Sequence, residues 1–319
     1  MWTQIAARIT EATGEEFQIN NRRSVGGGCI NQASALIGNT RTYFVKLNQA
    51  SGVHMFEAEA LGLKQMLETK TIRVPKPICW GTVADSAYIV LQWLELGGSK
   101  NSQCWEQMGR QLAAMHRWNP PQPNEKLKVG KLKVESSNLQ PSNLQPSTLQ
   151  GNFGWDINNT IGSTPQINTW TSDWAEFFAE YRIGYQFQLA RRRGGHFPQQ
   201  ERLMEAIPIL LDHQPQPSLV HGDLWGGNAA VTTSGEPVIL DPATYVGDRE
   251  VDLAMTELFG GFPSAFYRGY NEVWPLDDGY KKRKTLYNLY HILNHFNLFG
   301  GGYASQTNQM IEQILAEVR

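Results

Sequence analysis

The chain has 319 residues, enough for a large core divided between two lobes, and 41% hydrophobic with 18% charged residues is an ordinary globular composition. With 28 basic against 30 acidic residues, a net charge of -2, nothing marks it as a binder of nucleic acid or of a membrane surface. Three cysteines, Cys29, Cys79 and Cys104, are too few and too scattered for a disulfide framework or a zinc site, so a reducing cytoplasm fits.

Residues 1–13 read as an amphipathic helix with Trp2, Ile5, Ile9 and Ala12 on one face. This start lacks a basic segment followed by an apolar core, so it is no signal peptide, and no later run approaches the ~20 apolar residues of a membrane helix. Two short strands are expected to join around Gly26, Gly27 and Gly28, whose backbone N–H groups can then approach a phosphate. Cys29 and Ile30 stand where a Walker loop needs Lys and Ser or Thr, which excludes that class; a plain hairpin turn is the competing reading. Lys46 follows Tyr43, Phe44 and Val45 on the next strand.

The helix MFEAEALGLKQMLE comes next, with Phe56, Ala60, Leu63 and Leu67 in one stripe that Met55 and Met66 widen on one side. Glu59 lies at the widened edge and Glu57 beyond the opposite edge, so Glu59 is the expected partner of Lys46. RVPKPICWG is a passage fixed by Pro75 and Pro77, and SAYIVLQWLE is a strand. Its end, Gln92, Trp93 and Leu94, falls where backbone groups of a connector between lobes would meet the adenine edge. The expected division is therefore a nucleotide-binding lobe at 1–92 and a catalytic and substrate lobe at 93–319.

A helix from Trp105 to Trp118 opens the second lobe, with His116 as a packing or capping residue. Residues 119–151 change to Pro-rich, Lys-rich and then repetitive text, SNLQP SNLQP STLQG, which reads as an exposed insertion. A loop rich in Gly, Asn and aromatic residues precedes a helix over 171–190. Leu286, Leu289, Ile292, Leu293 and Phe296 mark a long helix, and a last amphipathic helix starts near Gln306.

The chemistry concentrates in LVHGDLWGGN, Leu219 to Asn228, and VILDP, Val238 to Pro242. An apolar run delivers Asp223 to a turn, Asn228 follows, and a second apolar run delivers Asp241. Phosphoryl transfer needs a carboxylate beside the attacking hydroxyl and oxygen ligands for magnesium on the ATP phosphates. Asp223 fits the base, and Asn228 and Asp241 fit the metal ligands. Trp225, beside the base, offers an apolar face to a sugar ring or its amine, or else it packs. Asp252 either braces the catalytic loop from below or caps a helix.

These strings, with GGGCIN, FVK, MFEAEALGL, RVPKP, DPATYVGDREVDLAMTELFGGF and LYHILNHFNLFG, resemble the fructosamine kinase and ketosamine-3-kinase family of the aminoglycoside and choline kinase superfamily. The resemblance spans nearly the whole chain; the SNLQP repeat departs from it. It implies an α+β, protein-kinase-like bilobal fold: a small antiparallel sheet with one key helix, then a larger, mainly helical lobe. It implies ATP with Mg2+, and phosphorylation of the C3 hydroxyl of a fructosamine or ribulosamine on an amine or protein, leading to deglycation. Asp223 resembles the proton acceptor, Asn228 and Asp241 the metal ligands, Gly26 to Gly28 the phosphate loop, Lys46 and Glu59 the phosphate clamp, and Gln92 to Leu94 the adenine connector. Redox-linked homodimerisation through Cys29 is also implied. The competing readings are a small-molecule kinase acting on an aminoglycoside or choline, and a catalytically silent nucleotide-binding module.

Overall fold

The structure, a computed structural model, describes residues 1–26, 31–118 and 152–318. Gly27, Gly28 and Cys29, and the insertion with its SNLQP repeat, lie outside the described residues.

The first lobe is a five-stranded antiparallel sheet with a helix on each face. Its strands are β1 (Asn21–Val25), β2 (Gln32–Ile37), β3 (Thr42–Gln49), β4 (Pro77–Val83) and β5 (Ser86–Gln92), in the order β1-β2-β3-β5-β4. Helix α1 (Trp2–Thr13) buries Ile5, Ala6 and Ile9 and stops at Gly14, whose φ of 73° ends the helix in a left-handed cap. Ala12, expected on the buried face, is exposed.

Strand alternation sorts the two faces of the sheet. Tyr43, Val45 and Leu47 of β3, with Tyr88 and Val90 of β5, form a small core against α1. Ala87, Ile89 and Leu91 point the other way, onto α2 (Val53–Thr69), in the large core that continues into the second lobe. Lys46 therefore emerges on the α2 side, inside an otherwise apolar layer.

The second lobe carries α3 (Ser102–Arg117), a hairpin of β6 (Asn159–Ile161) and β7 (Thr164–Gln166), and a helical stretch of α4 (Trp174–Phe177) and α5 (Tyr185–Arg192). A π-helical segment, Phe178–Gly184, interrupts that stretch where one continuous helix was expected. Then come α6 (Gln200–Leu210), the short strands β8 (Ser218–Val220), β9 (Ala229–Val231), β10 (Pro237–Ile239) and β11 (Tyr245–Gly247), and helices α7 (Glu250–Leu258), α8 (Ser264–Val273), α9 (Tyr280–Phe299) and α10 (Tyr303–Ala316). The α+β, bilobal expectation holds. Among the described residues no helix is long and apolar enough to cross a membrane.

Helices α3 and α8 meet backbone to backbone. A Cβ at Gly109 would collide with the carbonyl oxygen of Phe266, and one at Gly269 with that of Glu106. Overpacking costs about 1–3 kcal/mol, more than the ~1 kcal/mol that alanine gains over glycine in a helix. Gly109→Ala should therefore lower the urea midpoint without changing the denaturant slope. A midpoint at or above wild type would mean that the helices separate freely.

Candidate active site

Strand β3 delivers Lys46 to a point where two carboxylates converge. Its Nζ donates to Glu59 Oε1 of α2 at 2.7 Å and to Asp241 Oδ1, just beyond β10, at 2.7 Å. Lys46 and Glu59 are almost fully buried, whereas the Asp241 side chain is 52% exposed. Burial opposes the charge on Lys46, but the two carboxylates outweigh it and its pKa lies above the usual lysine value. Burial likewise opposes the Asp241 anion, and Lys46 overcomes it, so Asp241 titrates below the ordinary range. Glu59 shifts upward because burial and Asp241 together exceed the pull of Lys46. Glu57 is exposed, as the helical angle predicts.

Helix α2 is held onto the second lobe at two points. Gly62 lies so close to Thr244 that a Cβ would reach its Oγ1 at 2.6 Å, and Trp155 Nε1 donates to Gln65 Oε1 at 2.9 Å. Between them these contacts fix the height of Glu59.

Asp223 sits in the turn after β8. Asn228 Nδ2 donates to its carbonyl at 2.8 Å and to its Oδ2 at 3.2 Å. Burial, reinforced by Asp241, raises the Asp223 pKa well above the ordinary carboxylate value, against the Asn228 bond. Among the described residues, Asn228 Oδ1 and Asp241 Oδ2 accept no hydrogen bond. Two unused hard oxygen donors from neighbouring strand ends suit Mg2+, which takes oxygen ligands.

Three residues that the motif reading left without a catalytic role hold this turn. His221 Nε2 donates to the Leu240 carbonyl at 2.8 Å, and its Nδ1 accepts from the Asp223 N–H at 3.2 Å. Burial lowers the His221 pKa, in keeping with this neutral tautomer. Asp252, fully buried in the first turn of α7, accepts from the N–H groups of His221 at 2.7 Å and Gly222 at 2.8 Å. His116 Nε2 donates to the same carboxylate at 3.0 Å, and its Nδ1 pairs with the Tyr270 hydroxyl at 2.8 Å. Asp252 is thus a brace, the first of the two alternatives raised by the sequence. Gly222 has φ 80°, and a Cβ there would strike the Ala243 carbonyl, so only glycine fits.

At the connector, the Gln92 N–H is occupied by the Lys76 carbonyl at 2.8 Å. Trp93 and Leu94 have no backbone partner among the described residues, leaving their groups available. The Trp93 indole points to Glu95, bonding its carboxylate at 2.7 Å. Gly26 is exposed at the end of β1. Trp225 is 39% exposed, and its ring lies over Gly227, where a Cβ would clash with it.

The sequence pattern described as Fructosamine kinase matches residues 1–125 and 136–317. The chain belongs to the fructosamine kinase family. The match passes through the SNLQP repeat and leaves out 126–135. A Synechocystis protein named "Probable ketoamine kinase" is 54% identical over 315 residues, covering 98% of this chain and 97% of its own. An Arabidopsis thaliana protein named "Protein-ribulosamine 3-kinase, chloroplastic" is 43% identical over 307 residues, 95% of this chain and 85% of that one. A crystal structure from Haemophilus somnus, named for fructosamine-3-kinase, superposes with a TM-score of 0.83 at 29% identity, covering 99% and 98% of the two chains.

The brace makes a pH prediction. Burial alone would raise the Asp252 pKa, but its bonds to His116 and His221 outweigh burial and hold it below the ordinary value. Its stabilising effect is therefore complete above the unfolded pKa of about 3.9 and is lost as pH falls through the lower, folded pKa. Asp252→Ala should cost about 3–5 kcal/mol at neutral pH and flatten the fall in urea midpoint as pH drops below the unfolded pKa of about 3.9. An acid slope equal to that of wild type would remove Asp252 as its source.

Proposed function

We propose that this chain is an ATP-dependent, Mg2+-requiring kinase that phosphorylates the C3 hydroxyl of a ketosamine, a fructosamine or ribulosamine carried on an amine or a protein. Residues 1–92 form the nucleotide lobe and 93–319 the catalytic and substrate lobe, working in the cytoplasm. The observation that carries this reading is the 2.7 Å bridge from Lys46 to both Glu59 and Asp241, beside an Asp223 held by Asn228. That arrangement supports a working kinase over a silent module. Relatives at 54% and 43% identity, named for ketoamine and protein-ribulosamine, favour a ketosamine over an aminoglycoside or choline.

The residues divide the work. Asp223 takes the proton from the C3 hydroxyl as its oxygen attacks phosphorus, and its raised pKa makes it a better acceptor than an ordinary carboxylate. Lys46, two of whose three N–H donors go to Glu59 and Asp241, offers the third to the nucleotide phosphates, together with the N–H groups of Gly26 to Gly28. Asn228 and Asp241 would hold Mg2+, which when bound neutralises charge on the phosphates. Backbone groups of the Gln92 to Leu94 connector receive the adenine, and Trp225 lies against the sugar. Phosphate at C3 is a good leaving group once the product enolises toward C1, and hydrolysis then frees the amine.

The test is ATP consumption with ribulosamine and fructosamine adducts beside an aminoglycoside and choline. Turnover of the ketosamines alone is expected. Asp223→Asn should lower kcat by about 10²–10⁴ while ATP still binds. The base must be ionised, so kcat/KM should fall with decreasing pH through an apparent pKa above the ~3.9 of a free aspartate. An acid limb at or below that value would exclude Asp223 as the titrating base, and turnover of only the aminoglycoside or choline would overturn the substrate.

A further inference from the structure

A row of aromatic rings leads away from Trp225. The indole meets Phe259 edge to face, with centroids 6.3 Å apart. Phe259 lies 5.0 Å from the His295 ring, and His295 lies 5.6 Å from Phe299 and 5.2 Å from Tyr303. Both ends of the row are open to solvent: Trp225 is 39% exposed and Phe299 57%. Among the described residues only five large apolar side chains are exposed, and this row holds two of them. Phe259, His295 and Tyr303 between and beside them are half-buried, so the row is a partly exposed aromatic surface, and apolar surface of this kind can mark a binding site.

The backbone is shaped to present these rings. Phe259 ends α7 and is followed by Gly260 and Gly261, with φ 83° and 70°; Phe299 ends α9 and is followed by Gly300 and Gly301, with φ 69° and 62°. A Cβ at Gly260, Gly261 or Gly301 would meet nothing within 4 Å. Crowding therefore does not select glycine at these positions. The left-handed backbone does, turning the chain sharply just after each ring. His295 Nδ1 donates to the His291 carbonyl at 2.7 Å, which leaves Nε2 as an acceptor in the middle of the row.

We infer that this row is the subsite for the amine side of the substrate, and that its occupant is the lysine stem and flanking peptide of a protein-bound ketosamine. The inference rests on the ketosamine reading above. With the C3 hydroxyl at Asp223 and the sugar against Trp225, the amine at C1 continues past the indole. A free lysine adduct ends with its own stem. Phe299 and Tyr303, at the far end of the row, reach further, and only an extended chain can use them. Ring faces suit both the methylenes of a lysine stem and the ammonium at its end, and the guanidinium beside the row, that of Arg193, is turned onto the Asn297 carbonyl at 2.5 Å.

The experiment compares kcat/KM for one sugar on lysine within a peptide and on free lysine, using the full chain and Phe299→Ser, with Tyr303→Ser as a second variant. Thermal midpoints check folding. The peptide-to-free ratio should fall about tenfold in each variant, through KM rather than kcat. An unchanged ratio overturns the subsite, as does an equal loss on both adducts, which would place the row under the sugar or the fold. If wild type sediments as a dimer that Phe299→Ser dissociates while the ratio stays constant, a second copy covers the row and the inference falls. Failure of wild type to phosphorylate either adduct, visible without any variant, defeats the ketosamine reading and the subsite with it.

Discussion

A lysine ammonium in an apolar layer must be neutralised where it stands, and much of this fold follows from that constraint. Lys46 projects from β3 toward α2 because Tyr43, Val45 and Leu47 occupy the opposite face. Its charge is compatible with burial only while Glu59 and Asp241 both reach it at 2.7 Å. One carboxylate belongs to the first lobe and the other to the second, so the ion pair also sets the relative position of the lobes. Gly62 against Thr244, and Gln65 bonded to Trp155, keep α2 at the required depth. An apolar replacement for the ammonium would need neither carboxylate.

The catalytic turn meets a different difficulty. Between β8 and β9 the chain bends too sharply to pair its N–H groups with a neighbouring strand, yet its first residues, His221 and Gly222, lie in the interior. Unpaired buried N–H groups cost about 1–3 kcal/mol each. Asp252 accepts two of them, and His116 and Tyr270 continue the network into α3 and α8. Here the close crossing at Gly109 and Gly269 acquires a functional consequence, because it sets where His116 and Tyr270 stand beneath the turn.

What the sequence made legible was local. The choice of Glu59 over Glu57 as the partner of Lys46 and the long helix through Leu286 and Phe296 follow from the 3.6-residue period, and the apolar runs before Asp223 and Asp241 mark the strands that deliver them. Hairpin β6–β7 was read as a loop because its strands have three residues each and include Pro165 and four polar side chains. The π-helical segment is invisible to a 3.6-residue count: it places Arg182 inside the lobe, against the rings of Phe177 and Tyr245, with its guanidinium bonded to Asn168. The bracing roles of His116, His221 and Asp252 were unreadable for another reason. Their partners lie as far apart as 116 and 252, and no spacing rule connects them.

Two groups of acidic residues show how the same chemistry is put to different uses. His213, Asp248 and Glu250 bring ligand atoms within 4.8 Å of one another, close enough to suggest a metal site. Most of their ligand atoms are already engaged, although the buried His213 Nδ1 has no partner among the described residues. Both Glu250 oxygens accept from Arg283 at 2.7 Å, Asp248 Oδ1 accepts from the Glu250 N–H at 3.0 Å, and Asp248 Oδ2 is shared by His213 and Tyr287. A cation entering there would have to displace an arginine already in bidentate contact. At Asp241 and Asn228 the balance is reversed: one oxygen of Asp241 holds Lys46, Asn228 bonds Asp223 through its nitrogen, and the remaining oxygens have no protein partner among the described residues. Proximity of carboxylates therefore does not distinguish the two places. The distinction lies in which carboxylate and amide oxygens the protein has left without a partner, and of these two places, among the described residues, it is the one beside Asp223 that leaves them open.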